Sequence, residues 1–118
     1  MQLNHIHVGV RDLPGALAWM ERVWQLRPGF QNERLAVFAF PSFQLLVDAS
    51  PQDTVATIGF EAADCDGAFS EVVGRGAEVI TPPADQPWGS RAAYLRGPAK
   101  LTFEIEGPVK QEAKAGKA

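Results

Sequence analysis

Cysteine is nearly absent from this chain of 118 residues, which contains only Cys65. An internal disulfide needs two thiols and a cysteine-type zinc cluster needs several, so the sequence excludes both. The neighbouring acids Asp64 and Asp66 would raise the pKa of the thiol, which argues against a reactive thiolate. We therefore predict that Cys65 is a small, partly buried residue.

An excess of basic charge is absent as well. The chain has 11 Lys and Arg against 14 Asp and Glu, which gives a formal net charge of -3. A protein that binds a phosphate backbone is expected to carry a basic surface. Nucleic acid is therefore not an expected partner.

The sequence also lacks long hydrophobic runs. No window approaches the roughly 20 apolar residues that a membrane-spanning helix needs. The first residues, MQLNHIHVGV, lack the basic stretch and apolar run of a secretory signal. We expect a cytoplasmic protein without a membrane partner.

The chain instead contains one pattern twice, which is seen when residue 5 is laid on residue 57. The matching segments are NHIHVGVRDLPGALAWM and ATIGFEAADCDGAFSEV. In each segment every second residue is apolar, which predicts a strand with one buried face. Asp12 or Asp64 then precedes an apolar series at helical spacing and is predicted to cap a helix. Each strand should thus run directly into a helix.

Proline and glycine predict that the helices end near residues 27–29 and 74–76. Short strands are predicted after each helix, at residues 29–32, 35–40, 43–48, 78–81, 91–96 and 101–106. Residues 81–89 contain three prolines and are predicted to form a loop. The chain is therefore predicted to be an α+β protein of two tandem βαβββ modules, about 1–52 and about 53–107. Residues 108–118 are predicted to be a flexible tail.

Alternation along the strands places polar side chains together on one face of the sheet. These residues are His5, His7, Gln44, Thr57, Gly59, Glu61, Thr102, Glu104 and Glu106. An antiparallel sheet often leaves one face in water, which would explain the polar residues without any function. If the sheet is curved, the same residues line a concave trough, as is usual for a ligand site.

These segments resemble the vicinal oxygen chelate superfamily, which includes glyoxalases, extradiol dioxygenases and bleomycin-type resistance proteins. The resemblance rests on NHIHVGVRDLPGALAWM and on GAEVITPPADQPWGSRAAYLRGPAKLTFEIEG. It implies one domain over residues 1–107, with paired βαβββ modules forming a curved mixed sheet around a concave ligand trough. It also implies a homodimer.

In the metalloenzymes of this superfamily, metal ligands come from the first and last strands of each half. The resemblance carries these places onto His5, Gln44, Thr57 and Glu104. His5 and Glu104 suit a divalent metal ion, whereas Gln44 is a weaker ligand and the Thr57 hydroxyl a poor one. His7, on the same face as His5, is a candidate substitute. A divalent metal ion is the one cofactor that this set would accommodate.

Two functions are open from the sequence. The first is a small-molecule binding protein of the glyoxalase/bleomycin-resistance type, which holds a flat or aromatic ligand at a dimer groove. Trp88 would stack on the ligand or, equally, anchor its own loop. The candidate polar contacts are His7, Gln44, Arg91 and Glu106. By alternation Arg91 and Tyr94 face opposite ways, so only one of them can line the trough.

The second function is a divalent-metal-dependent lyase, isomerase or dioxygenase that uses His5 and Glu104. The metal would act as a Lewis acid, and Glu104 would be the catalytic base. A metal-free reaction with His5 or His7 as general base beside Glu104 is also open, since imidazole titrates near neutrality. The sequence thus leaves open whether the protein is an enzyme.

Overall fold

The computed structural model describes residues 1–54, 56–98 and 101–110. Within these residues there are two helices and eight strands. The first half contains β1 (Gln2–Val10), α1 (Leu13–Trp24), β2 (Phe30–Gln31), β3 (Leu35–Phe40) and β4 (Phe43–Ala49). The second half contains β5 (Thr57–Glu61), α2 (Cys65–Gly74), β6 (Glu78–Asp85), β7 (Ser90–Arg96) and β8 (Thr102–Pro108). Each half is therefore a βαβββ module, as the repeat predicts.

All eight strands join one mixed sheet in the order β2-β3-β4-β1-β5-β8-β7-β6. In each module the first strand is parallel to the last, because β1 pairs with β4 and β5 pairs with β8. The modules meet where β1 pairs antiparallel with β5, around the opposed residues Ile6 and Ile58. The sheet is curved and open, so the predicted α+β architecture is confirmed.

The two cores lie on the face of the sheet that the helices cover. In the first module Leu13 of α1 packs with Ala36, Phe38 and Val47. The second core contains Ala62, Cys65, Ala93, Leu95 and Ile105. The buried apolar residues of the strands alternate with the polar residues that were predicted to share a face. Because the apolar side chains point toward the helices, the polar side chains point to the opposite face of the sheet.

The observed helix boundaries agree only in part with those predicted from the sequence. Asp12 caps α1 as predicted, because its carboxylate accepts from the Gly15 amide at 2.9 Å. Asp64 lies at the cap position of α2, but its side chain makes no capping hydrogen bond. Helix α2 ends at Gly74 as predicted, whereas α1 ends at Trp24, before the predicted 27–29. Gln25 ends it in the left-handed region, with φ 57, and its amide bonds to the last turn.

The prediction of a loop over residues 81–89 is wrong for its first part. Strand β6 continues to Asp85, and its pairing with β7 shifts register between Thr81 and Ala84. The two prolines, Pro82 and Pro83, lie at this irregularity in an edge strand, where a missing amide costs no ladder hydrogen bond. The turn itself is shorter, with the Gly89 amide bonded to the Gln86 carbonyl at 3.0 Å.

The end of the chain is only partly described. Strand β8 extends to Pro108, one residue into the predicted tail, and residues 111–118 lie outside the described residues. Residues 99 and 100 of the final turn lie outside them too. Neither of the two helices found in the described ranges is long and apolar enough to cross a membrane.

Cys65 is more deeply buried than expected, with 2% of its surface exposed. Burial raises the pKa of its thiol, and the charge of Asp66 raises it further. We expect Cys65 to react with a thiol reagent on the order of 100-fold more slowly in the native protein than in denaturant. Stopped-flow labelling with and without guanidinium measures this ratio, and equal rates would contradict the burial of the thiol.

Candidate functional site

One row of paired residues crosses four strands on the trough face of the sheet. His5 of β1 pairs with Gly59 of β5, and Gly59 pairs with Glu104 of β8. Glu104 pairs in turn with Tyr94 of β7. Because paired residues share a face, the side chains of His5, Glu104 and Tyr94 all point into the trough.

Gly59 lets His5 reach Glu104 across the intervening strand. A Cβ atom at position 59 would overlap the Cε1, Nε2 and Nδ1 atoms of the His5 ring. The imidazole therefore lies directly over the backbone of Gly59, and its Nε2 is 2.9 Å from Oε1 of Glu104. His5 is 8% exposed and Glu104 is 5% exposed, so this is a buried pair.

Both ring nitrogens of His5 face oxygen acceptors. Nδ1 lies 2.8 Å from the side-chain oxygen of Asn4, and Nε2 faces the Glu104 carboxylate. The hydrogen bond to Glu104 raises the pKa of His5, burial opposes it, and the charges of Glu104 and Glu106 add to the increase. The arrangement therefore favours the protonated form of the imidazole beside the carboxylate.

Asn4 reaches His5 because β1 is irregular at this point. The pairing with β5 shifts register between Leu3 and His5, so Asn4 is the extra residue. A bulge of this kind changes the direction of a side chain and is frequent beside active sites. Asn4 was missed by the sequence analysis, because strict alternation places it on the opposite face from His5.

Glu106 is the next residue of β8 on the trough face. Its Oε2 atom accepts hydrogen bonds from the Ser90 hydroxyl at 2.6 Å and from the Trp88 indole at 3.1 Å. Trp88 remains 58% exposed, so its ring is fixed at one end and open to solvent over much of its surface. The predicted alternatives for Trp88 thus coexist: it is anchored within its own domain, and its ring is available for stacking.

Tyr94 and Arg91 face opposite ways, as alternation predicts. The Tyr94 hydroxyl is 3.4 Å from Oε2 of Glu104, and burial followed by the charge of Glu104 raises its pKa, so the phenol is neutral at physiological pH. Arg91 lies on the helix side instead. There its guanidinium donates to Asp66 at 2.7 Å and to Asp85 at 3.0 Å. The structure does not bring Arg91 to the trough.

The other predicted residues lie beside the row of His5, Gly59, Glu104 and Tyr94 (the His5 row) rather than in it. His7 pairs with Asp48, with 2.9 Å between Nε2 and Oδ2. Gln44 is the partner of His5 on β4 and is exposed. Thr57 pairs with His7 and Thr102, so the trough residue between His5 and Glu104 is Gly59. Of the four positions carried over from the resemblance, Gln44 is thus directly beside His5, and Thr57 lies on the same face two residues along β5 from Gly59.

A different set of three could hold a metal ion. One ligating atom from each of His5, Glu104 and Glu106 lies within 4.8 Å of the other two. Two carboxylates and a neutral imidazole carry two negative charges, which match a divalent cation. The Asn4 oxygen would hold the other ring nitrogen and fix the orientation of His5. The donor set thus fits a divalent metal, with Glu106 in the role that Thr57 could not fill.

Three solved structures show the same fold at low sequence identity. A NAD-dependent benzaldehyde dehydrogenase from Legionella pneumophila superposes with a TM-score of 0.72 at 13% identity, covering 90% of this chain and 99% of that chain. Streptomyces coelicolor methylmalonyl-CoA epimerase, in complex with 2-nitronate-propionyl-CoA, gives 0.70 at 18%, covering 95% and 97%. Methylmalonyl-CoA epimerase from Mycobacterium tuberculosis gives 0.65 at 16%, covering 97% and 92%. At these identities the similarity establishes the fold alone.

No curated protein sequence matches this chain. The family model of the Glyoxalase/Bleomycin resistance protein/Dioxygenase superfamily matches residues 2–105. The match spans both modules and includes the residues of the His5 row. The chain therefore belongs to the glyoxalase/bleomycin resistance protein/dioxygenase superfamily.

Proposed function

We propose that this protein is a divalent-metal-dependent lyase or isomerase that acts on a small molecule with adjacent oxygen atoms. The observation that carries the proposal is the cluster of the buried His5 and Glu104 with the half-buried Glu106, whose ligating atoms lie within 4.8 Å of one another. A metal ion bound there would stabilise negative charge that develops on a substrate oxygen. A dioxygenase is less well supported, because non-haem iron oxygenases favour two histidines and one carboxylate.

The residues around the cluster have separate tasks in such a reaction. His5 loses its Nε2 proton when it becomes a ligand, and Asn4 keeps the ring in place through Nδ1. Ser90 and Trp88 hold one oxygen of Glu106, which limits the rotation of that carboxylate.

Glu104 is the proposed catalytic base. With a carboxylate oxygen that is not bound to the ion, it would accept a proton from the substrate carbon next to a carbonyl group and return it in the next step. Tyr94, a neutral phenol beside Oε2 of Glu104, can donate a hydrogen bond to this carboxylate and keep it oriented. Glu104 is buried, so little water would compete for the transferred proton.

Metal analysis of the purified protein tests this proposal. After removal of bound metal and addition of Mn²⁺, Co²⁺, Ni²⁺ or Zn²⁺, we expect about one ion per chain, with release of a proton on binding. The His5→Ala variant should lose affinity by about 100-fold or more. His7→Ala is the matched control, because it removes the same residue type from the same face of β1. Failure of all four ions to bind, or an equal loss in both variants, would contradict the proposal.

A second candidate is a metal-free protein that binds a flat or aromatic molecule at a dimer groove. The His5–Glu104 pair favours it, because the two groups satisfy each other without an ion. The open ring of Trp88 is the stacking surface in this case. Binding of an aromatic ligand by metal-free protein, lost in Trp88→Leu, would support this candidate over the enzyme. With either function, we propose that the protein is a single domain over residues 1–107 and a cytoplasmic homodimer. Light scattering measures its mass in solution and so tests whether two chains associate.

A further inference from the structure

A cavity of about 530 Å³ lies beside helix α2, on the opposite face of the sheet from His5 and Glu104. Its lining is mostly apolar and includes Phe60, Phe103, Val72, Leu95 and Ile105. The volume falls within the range of about 300–1,000 Å³ that is typical of small-molecule sites. None of the three proposed metal ligands lines it.

Local features of the chain keep this space open. Phe60 and Phe103 stack with 6.2 Å between ring centroids and 23° between planes, which makes a broad apolar floor. At Gly97 a Cβ atom would overlap the Phe103 ring, so the glycine permits the ring to lie there. Helix α2 ends at Gly74, and Gly76 then turns the chain with φ 106. The helix therefore ends beside the cavity, which Val72 of the helix and Arg75 after it both line.

The charge at this cavity has one sign. Arg75 and Arg96 are the charged side chains that line it, and no acidic side chain from the described ranges does. Alternation along β7 places Arg96 on the same face as Tyr94, so Arg75 is the better placed of the two guanidinium groups to serve the cavity. Arg75 is exposed and forms no ion pair with the described part of the chain.

The end of helix α2 does not oppose an anion at this position. Its last carbonyl groups already accept hydrogen bonds from the backbone amides of Arg75, Gly76 and Ala77. The partial negative charge of a helix C-terminus resides on unpaired carbonyl groups, so it is reduced here. The positive charge of Arg75 beside the apolar floor is therefore little opposed by the end of the helix.

We propose that this cavity binds an apolar carboxylate, a molecule with an aromatic or medium-chain aliphatic body and one carboxylate group. The body lies between the Phe60–Phe103 pair and α2, and Arg75 binds the carboxylate through two parallel hydrogen bonds. This site is separate from the trough. It does not depend on the function proposed for the trough.

Calorimetric titration with octanoate tests the proposal, with octanamide as the uncharged analogue. We expect octanoate to bind, and both octanamide binding and octanoate binding by Arg75→Gln to be weaker by about tenfold. Arg22→Gln is the matched control, because Arg22 is the basic residue in the last turn of α1. It should leave the octanoate affinity unchanged. Equal affinity for the two ligands, or no effect of Arg75→Gln, would overturn the proposal.

The position of the bound molecule needs its own test. Val72→Phe places a larger side chain in the cavity and should abolish octanoate binding while the NMR signals of the His5 imidazole in the trough are unchanged. Methyl NMR signals of Val72 and Leu95 should shift on addition of octanoate, and those of Leu46 in the trough should not. If Val72→Phe does not fold, the NMR shifts in the wild-type protein still decide. Shifts confined to Leu46, or no octanoate binding at all, would refute the site.

Discussion

The Gly59→Ala variant is expected to lose the His5–Glu104 pair and about 1–3 kcal/mol of unfolding free energy. The added methyl group would occupy the position of the His5 imidazole, so the ring would have to leave its place over the backbone of residue 59. The His5 ring would then swing away from Glu104, and two buried groups would lose their partners. Urea unfolding measures the loss of stability, and NMR titration of the imidazole reports the loss of the pair.

Gly74→Ala is the matched control for this change. It adds the same methyl group at the end of α2, where no atom lies within 4 Å of the new position. We expect its stability to differ from that of the wild-type protein by no more than about 0.5 kcal/mol. A Gly59→Ala protein with wild-type stability and an unchanged His5 titration would contradict the close approach of the His5 ring to the backbone of Gly59.

Glu104→Gln is expected to lower the pKa of His5 below its ordinary value of 6.5. The hydrogen bond and the charge of Glu104 raise this pKa in the wild-type protein, and burial, which lowers it, would then prevail. A raised folded-state pKa stabilises the protein below the unfolded pKa of 6.5, and this contribution is lost as the pH rises through the folded pKa. In the variant the sign is reversed, because a lowered folded-state pKa destabilises the protein in acid.

The difference in unfolding free energy between wild type and Glu104→Gln should therefore increase as the pH falls from about 8 to about 5. Each unit by which the two His5 pKa values differ corresponds to about 1.4 kcal/mol at the acidic end. Denaturant unfolding across this pH range measures the difference. Glu106→Gln is the control, because its charge is the smallest of the causes that raise the pKa of His5. A difference that is constant with pH, or equal for both variants, would contradict the assignment.

Much of the fold could be predicted because the repeat and the alternation of apolar residues are local properties. The β1–α1 and β5–α2 units follow from apolar spacing and from Asp12 and Asp64. The predictions that the structure contradicts also have local causes. Three prolines over residues 81–89 indicate a loop, but an edge strand with bulges accepts two of them. The end of α1 was predicted too late because Gln25, rather than a glycine, adopts the left-handed conformation.

The candidate site could be predicted only in its residue types. Alternation places His5, Glu104 and Glu106 on one face, but it does not specify which residues are opposite one another. That depends on the register of β1, β5 and β8, in which Gly59 separates His5 from Glu104. A glycine within a strand often marks a close approach and was the available signal. The contribution of Asn4 depends on a bulge, which no pattern in the sequence indicates.

The junction between β1 and β5 also has a consequence for the order of folding. His5 and Glu104 are 99 positions apart in the chain, and each belongs to a different module. Contacts of such long range form only after a large loss of chain entropy, so they are late events in folding. A βαβββ unit that has folded before its neighbour docks would contain either the imidazole or the carboxylates, but not both. The formation of the His5–Glu104 pair during folding would thus report when the two modules dock.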